Sequence, residues 1–447
     1  MSAASKLLLI LKLSCRLLVG MFGWVLIAPI VALLPRRRDW IAVIGRDDGK
    51  LLDNTKYFFL QASEILRPDV RVAFVTERND VQSMLAGSAY EVVQYPSWRG
   101  VWFLLRCSSC IVDTPDWFRK FRRFLLVRAK FIQLWHGVGF KYVELDKWKN
   151  ELHGAGGLFQ KRLLWLRLIA YVVTGRLVRY DVVNSTSEFY RQKVFSRSLF
   201  GRYFLTLGYP RNTFGELGHS IKDAAWVNVD TAVKSAIPRW IEQNRKIVLV
   251  TPTFRGDLSA PISGNGLDMP MRLDANTAEA LDAHCEANGI EFVFKFHPFE
   301  RNTQKVYGKH LHLCGSDTDI YPLLPLADAM VTDYSSIYTD YLLIDRPIIF
   351  YVPDLAEYTT NDRAIQFDFH EMTPGPKLTS WPGVIAALTE QWREDNYVEE
   401  RARLRRLAFD DLPQDQAVPK LIEFMREKMW IPVSSRTSGD MTEAHGK

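Results

Sequence analysis

The sequence predicts an α/β protein in which two doubly wound, Rossmann-like domains follow an N-terminal hydrophobic helix. Three observations carry this. Short β-branched runs alternate with helical patterns from Trp40 onward, the same rhythm restarts at Lys246, and an uncharged apolar run precedes both. The 447 residues, 47% of them hydrophobic and 24% charged, suffice for two cores and exclude a disordered polymer, a collagen and a small disulfide-stapled module. Five cysteines at 15, 107, 110, 285 and 314 form neither a disulfide framework nor a paired zinc motif, which fits a reduced compartment.

Residues 17–34 are an uncharged run of 18, about 27 Å long as a helix against a hydrocarbon core of roughly 30 Å. Lys6, Lys12 and Arg16 precede it and Arg36, Arg37 and Arg38 follow it, so charge only keeps the folded part cytoplasmic. No small-residue cleavage pattern separates the run from those arginines. Residues 1–38 therefore read as a membrane-associated segment, spanning or lying in the cytoplasmic face of the cell membrane.

Residues 41–44, 70–75, 91–94, 110–112 and 131–135 are short runs rich in β-branched and aromatic side chains, and are expected as parallel strands. Residues 101–200 then carry 18 Lys/Arg against 7 Asp/Glu, a local +11 in a chain of net +6. Within that stretch Arg162, Arg167, Arg176 and Arg179 are threaded among Leu164, Trp165, Leu166, Leu168 and Ile169. Residues 161–180, and residues 118–130 with the same texture, are expected as amphipathic basic faces turned to a membrane leaflet. No nucleic-acid recognition motif accompanies them, so no nucleic-acid partner is expected. Residues 213–240, weakly patterned around Gly215, Gly218 and Pro238, read as a linker. The second block supplies strands at 247–250, 292–296, 311–313, 329–331 and 348–351. The division is thus 1–38, 39–235, 236–430 and a Ser/Thr/Gly-rich tail at 431–447. Nothing in the sequence fixes an oligomeric state.

Candidate chemistry gathers in loops just after predicted strands, where open α/β sheets bind ligands. His136 lies between an apolar strand and Gly137, whose missing side chain admits a substrate closely, and an imidazole suits proton transfer near neutrality. His297 ends another strand and is held by Pro298. Ser335 and Ser336 open a helical pattern, where free N–H groups and two hydroxyls form a phosphate cradle or an ordinary helix cap. Arg211, Arg255 and Lys295 are the cations a diphosphate needs. Asp317-Thr318-Asp319 looks like a metal motif but precedes a helical pattern, which favours a capping role.

In order, Gly45, Asp53-Asn54-Thr55-Lys56-Tyr57, Trp135-His136-Gly137 with Lys141 and Asp146, Gly208-Tyr209-Pro210-Arg211-Asn212, Pro252-Thr253-Phe254-Arg255, His297-Pro298, Thr332-Asp333-Tyr334-Ser335-Ser336 with Asp340, Asp345 and Pro347, and Asp354 through Pro376 form an ordered series. From about residue 45 to 410 that series resembles the CDP-glycerol glycerophosphotransferase family, the GT-B-type enzymes that make poly(glycerol phosphate) teichoic acids and related capsule polymers. The resemblance implies transfer of glycerol phosphate from CDP-glycerol to an acceptor hydroxyl of a lipid-linked or polymer acceptor, with release of CMP and no required metal or other cofactor. It implies His136 as catalytic base and His297 as a second essential histidine near the diphosphate. Gly137, Val138, Gly139, Phe140 and Arg211 are then substrate-binding, as are Thr253, Arg255, Lys295, Ser335, Ser336 and Asp340, the last facing the donor's polar end. Val138-Gly139 stands where Thr-Pro is usual, and Lys295-Phe296-His297 where Arg-Pro-His is usual, which leaves a CDP-ribitol donor open. A GT-B glycosyltransferase using a nucleotide sugar and an inactive membrane scaffold are the rival readings; incubation with CDP-glycerol, CDP-ribitol and CMP- or UDP-sugars, scored by the nucleotide released, separates the enzymes, and release of CMP excludes the scaffold.

Overall fold

The computed structural model describes residues 3–118, 121–174, 177, 179–213, 219–253, 273–296, 308–358 and 366–433. The first sheet comprises β1 (Arg37–Ile44), β2 (Arg71–Thr76), β3 (Glu91–Gln94), β4 (Cys107–Val112), β5 (Lys130–Gln133), β6 (Tyr180–Ser185) and β7 (Gly201–Thr206). The second comprises β8 (Lys246–Thr251), β9 (Ile290–Lys295), β10 (Leu311–Cys314), β11 (Ala329–Thr332), β12 (Ile348–Tyr351) and β13 (Lys377–Leu378). Their strand orders are β3-β2-β1-β4-β5-β6-β7 and β10-β9-β8-β11-β12-β13, parallel throughout. Each order reverses beside the first strand of its sheet, which is the doubly wound pattern expected.

Strand periodicity divides the core into layers. Ala42 and Ile44 on one face of β1, with Ile247 and Leu249 of β8, join a continuous apolar layer that runs between the two halves through Trp135, Tyr209, Tyr334 and Tyr338. Ile41 and Val43 point the other way, against the Asp53–Leu66 helix. The Ala417–Glu427 helix also packs there through Val418, Leu421, Ile422 and Met425, so the chain's last helix returns to the first sheet. Val248 and Val250 face a third layer closed by the Ala275–Asn288 and Trp381–Arg393 helices.

Several expectations are corrected. β6, β7 and β13 lie outside the runs predicted as strands: Asp181 and Asn184 interrupt the apolar signal of β6, and β7 is a half-exposed edge. The expected linker is helical at His219–Ala225 and Thr231–Glu242, the second capped by Asp230, which accepts from Ala232 N and Val233 N. The tail from residue 434 lies outside the described residues.

The N-terminal segment runs as helix Ala3–Phe22, a wide turn at Gly23–Ile27, and helix Ala28–Leu33. Pro29 has no N–H to offer one turn back, and Ala28 N instead reaches Gly23 O, so the turn widens without breaking. Among the described residues, Leu11–Leu33 is long and apolar enough to cross a membrane. Leu13, Ala28 and Val31 pack inward, while Leu18, Val25, Ile30 and Leu33 are exposed. The segment lies against the Leu158–Val173 helix: Trp24 Nε1 donates to Val173 O at 2.8 Å, and a Cβ on Gly20 would meet Val173 at 2.6 Å. That helix leaves Trp165, Leu166, Ile169 and Val172 exposed, so its outer surface is apolar as well as basic. Within residues 118–130 the described Arg122 and Arg123 turn inward, whereas Arg128 stays exposed. Arg122 is buried 3.4 Å from Glu77, and Arg123 packs over the rings of Trp24, Trp117 and Phe131.

Buried charge joins the halves. Lys56 Nζ, fully buried in the Asp53–Leu66 helix, donates to Asp319 Oδ2 at 2.8 Å and to Ala225 O at 2.6 Å, and Tyr57 Oη reaches the same carboxylate at 3.0 Å. Asp319 also accepts from Tyr321 N at the start of the Tyr321–Leu326 turn, although Ile320 rather than Asp319 occupies the N-cap position. Replacing Asp319 by Asn strands the Lys56 ammonium without its counter-charge, which typically costs about 3–5 kcal/mol. Chemical denaturation should reveal a loss of that order, and a change below about 1 kcal/mol would contradict the role given to the pair.

Candidate active site

Every described motif loop follows the carboxyl end of a strand: residues 134–140 after β5, 208–212 after β7, 252–253 after β8, and 333–336 after β11. The turn after β5 is sharp. Trp135 adopts φ +61°, an uncommon conformation for a bulky side chain, and is held by Gln133 Oε1, which accepts from its N–H, and by Asn54 Nδ2, which donates to its carbonyl. This delivers His136 to the rim of a cavity of about 450 Å³ whose lining includes Val138, Tyr142, Tyr190, Tyr334 and Ser336.

The His136 ring has a defined tautomer. Nδ1 lies 3.1 Å from Asp113 O, and a carbonyl can only accept, so Nδ1 carries the hydrogen and Nε2 is left with its lone pair. Burial, aided by the Arg46 guanidinium and opposed by Asp53, holds the imidazole pKa below its ordinary value. The ring is therefore neutral at neutral pH and able to take a proton.

Gly137 has φ +148°, and a Cβ there would stand 2.8 Å from Ser336 Oγ; one on Gly139 would stand 3.3 Å from Ser336 Cβ. The histidine loop thus lies directly on the serine loop of the other half. Thr339 Oγ1 donates to Val138 O at 3.1 Å, and the buried Phe140 ring meets Phe369 edge-on at 5.4 Å. Ser335 and Ser336 are half-buried, and neither hydroxyl bonds to protein among the described residues, so both remain available to a ligand.

Arg211 and Asp340 are placed differently from the sequence expectation. Arg211, 1% exposed, donates from Nη1 to Asp53 Oδ1 and, at 3.0 Å, to His136 O, and from Nη2 to Asp340 Oδ2 at 2.7 Å. Its plane stacks near Tyr209 and Tyr321, whose hydroxyl also donates to Asp340 at 3.1 Å, while Arg46 supports Asp53 at 2.7 Å. Burial alone would lower the Arg211 pKa, but Asp340 and Asp53 outweigh it and hold it well above the usual value. The pair Arg211 and Asp340 form the floor beneath the histidine loop; they do not line the cavity. Lys295 ends β9 and donates to Gly315 O and Ser316 O at 2.5 and 2.8 Å, with its pKa pushed down to about 8 by burial. Thr253 N donates to Asp333 Oδ1 at 2.7 Å, and its own hydroxyl is buried without a partner among the described residues. Arg255 and His297 lie outside the described residues.

Sequence reasoning missed Arg46, Asp113 and Tyr321. Asp113 directly follows β4 beside the histidine; its carboxyl accepts from Thr55 Oγ1 at 3.0 Å and its pKa is pushed up to about 7 by burial and by Asp53. Tyr190 was also missed, and only its helical spacing after β6 could have signalled it.

Two doubly wound sheets whose loops bring a neutral histidine's loop onto Ser336 have the architecture of a GT-B transferase. The match to solved structures agrees: the wall teichoic acid polymerase TagF, in a variant with a histidine replaced by alanine, superposes with a TM-score of 0.67 at 16% identity, covering 96% of this chain and 98% of that one. Residues 26–423 match the family described as CDP-Glycerol:Poly(glycerophosphate) glycerophosphotransferase, and the chain belongs to that family. It is similar to the teichoic acid poly(glycerol phosphate) polymerase of Bacillus spizizenii, 22% identical over 381 residues, or 83% of this chain and 88% of that one. The teichoic acid glycerol-phosphate transferase of Staphylococcus aureus is 25% identical over 311 residues, 67% and 72% of the two chains. The chain is accordingly an enzyme that transfers glycerol phosphate from CDP-glycerol.

The depressed basicity of His136 gives a direct spectroscopic expectation. Its ring resonances should titrate with a midpoint below the ordinary value of about 6.5, keeping the base form populated across the neutral range. A midpoint above 7 would contradict the burial and charge arrangement described.

Proposed function

We propose that His136 is the general base of glycerol phosphate transfer, and that Ser335 and Ser336 hold the donor phosphates beside it. The acceptor hydroxyl oxygen forms a bond to the glycerol-bearing phosphorus, the bond from that phosphorus to the bridging oxygen of the diphosphate breaks, CMP leaves with that oxygen, and the hydroxyl proton passes to His136 Nε2. The observation that carries this reading is the fixed Nδ1–H bond to Asp113 O, which leaves Nε2 as a proton acceptor on the rim of the cavity that Ser336 lines. Phosphoryl transfer asks mainly for positioning and charge stabilisation. Lys295 supplies a cation at the carboxyl end of β9, with Arg255 and His297 completing the diphosphate grip as the family resemblance implies. A solved TagF structure carrying a different histidine variant was soaked with CDPG, which supports a histidine and this donor meeting in the same fold.

In this reading residues 39–235 serve the acceptor and residues 236–430 the donor, although the Ala417–Glu427 helix packs on the first sheet. The acceptor is a lipid-linked polymer end at the cytoplasmic leaflet. What supports the membrane side is the apolar Leu11–Leu33 segment and the exposed Trp165, Leu166, Ile169 and Val172 beside it. Ribitol-phosphate enzymes also number among the relatives, one of them a ribitol-phosphate primase of Bacillus spizizenii at 24% identity over 387 residues, so CDP-ribitol is the informative control donor.

His136→Ala should lower the turnover of CDP-glycerol by roughly 10²- to 10⁴-fold while leaving the donor dissociation constant within about threefold, because a base acts in the transition state. Ser335→Ala with Ser336→Ala should instead weaken donor binding. Activity of His136→Ala within about threefold of the parent, or unchanged donor affinity in the serine variant, would remove those assignments.

A further inference from the structure

A second cavity of about 450 Å³ opens at the opposite end of the first sheet, lined by Arg123, Arg128, Lys130, Phe131, Arg179 and Asp181. It sits at the amino ends of β5 and β6, on the order of 20 Å from His136 at about 3.3 Å per strand residue. Four cations face one carboxylate, and that carboxylate is occupied: Asp181 Oδ1 pairs with Lys130 at 3.1 Å and Oδ2 accepts from Phe131 N at 3.0 Å. Arg123 is 8% exposed, and its Nε and Nη1 are buried with no hydrogen-bond partner among the described residues. Among the described residues no carboxylate pairs with it, since Asp181 is taken by Lys130 and Phe131; burial pushes its pKa down to about 10, so it stays cationic at neutral pH. A buried, uncompensated guanidinium is costly, and an anion seated against it offsets that cost.

The pocket is tied to the apolar segment. The Arg123 guanidinium lies 4.7 Å from the Trp24 ring centroid, and Arg128 Nη1 donates at 3.0 Å to Ala32 O in the last helical turn of that segment. With the Leu11–Leu33 segment in a bilayer, the mouth of the pocket falls where that segment ends, at headgroup depth. We propose that Arg123, Arg128, Lys130 and Arg179 form a binding pocket for the phosphodiester headgroup of an anionic membrane lipid. The guanidinium forks match phosphate oxygens, and the headgroup fixes how the protein sits on the leaflet. This inference rests on the membrane reading above and adds to it a specific site and ligand class.

The test is co-sedimentation of the full-length protein with phosphatidylcholine vesicles, with and without phosphatidylglycerol, at low salt and at about 0.5 M salt, where the field of exposed charges is largely screened. The variants are Arg123→Met, which keeps an apolar stem over Trp24, and the rim pair Arg128→Gln with Arg179→Gln. Lys161→Gln with Arg162→Gln on the neighbouring exposed helix removes the same charge as the rim pair. At low salt each lost cation weakens binding by about fivefold, in pocket and control alike. At high salt the parent and the control should still prefer phosphatidylglycerol, while both pocket variants lose that preference; if Arg123→Met does not fold, the rim pair decides. Pocket variants that match the control at high salt overturn the pocket while leaving the membrane reading intact. A parent protein that stays in solution with every vesicle overturns both. Displacement of the protein from phosphatidylglycerol vesicles by millimolar inorganic phosphate would reassign the pocket to a soluble phosphate and overturn the lipid assignment.

Discussion

A guanidinium with 1% exposure is the joint on which this molecule turns. Arg211 enters from the loop after β7, reaches Asp53 at the start of the first half's helix, and Asp340 beside the serine loop of the second half. Two carboxylates around one guanidinium would leave a negative excess in a dry setting; with Arg46 the two carboxylates and two guanidiniums balance. The same Arg211 group donates to the carbonyl of His136, so the balance of charge also sets where the histidine loop lies. The Lys56–Asp319 pair repeats the device nearby. Buried pairs of this kind contribute more to which arrangement is adopted than to net stability, because their desolvation offsets much of their attraction.

That joint explains the chemistry of the loop above it. Gly137 and Gly139 can approach Ser336 only because neither carries a side chain, and the approach is maintained by the floor beneath. The histidine is kept neutral by burial and neighbouring arginines, its tautomer is set by a backbone carbonyl, and the opposing Ser336 hydroxyl has no protein partner among the described residues. Positioning of this kind is what transfer between two phosphate-bearing substrates requires.

The sequence made some of this legible and concealed the rest for physical reasons. Strands with uninterrupted β-branched runs were readable, and so was His136, since a histidine followed by glycine after an apolar strand signals a turn at a sheet's carboxyl end. The role of Arg211 was not, because a motif arginine looks the same whether it faces a phosphate or two carboxylates, and its partners lie 158 and 129 residues away. Arg122 and Arg123 sit in a basic run that reads as a solvated face, yet the chain turns them inward onto Glu77 and onto aromatic rings. β6 was obscured by Asp181, whose carboxylate is used by the neighbouring strand's Lys130 and Phe131 rather than by water. In each case the local pattern was sound and a distant partner changed its meaning.

The central claim is that Arg211 and Asp340 act as one unit that positions the histidine loop on the serine loop. A double-mutant cycle on kcat/KM for CDP-glycerol, with Arg211→Gln, Asp340→Asn and the combination, measures that unit directly. The account predicts strong non-additivity, with the combined variant losing little more than either single one. Losses that simply add would show that the two side chains serve the reaction independently, and would contradict it.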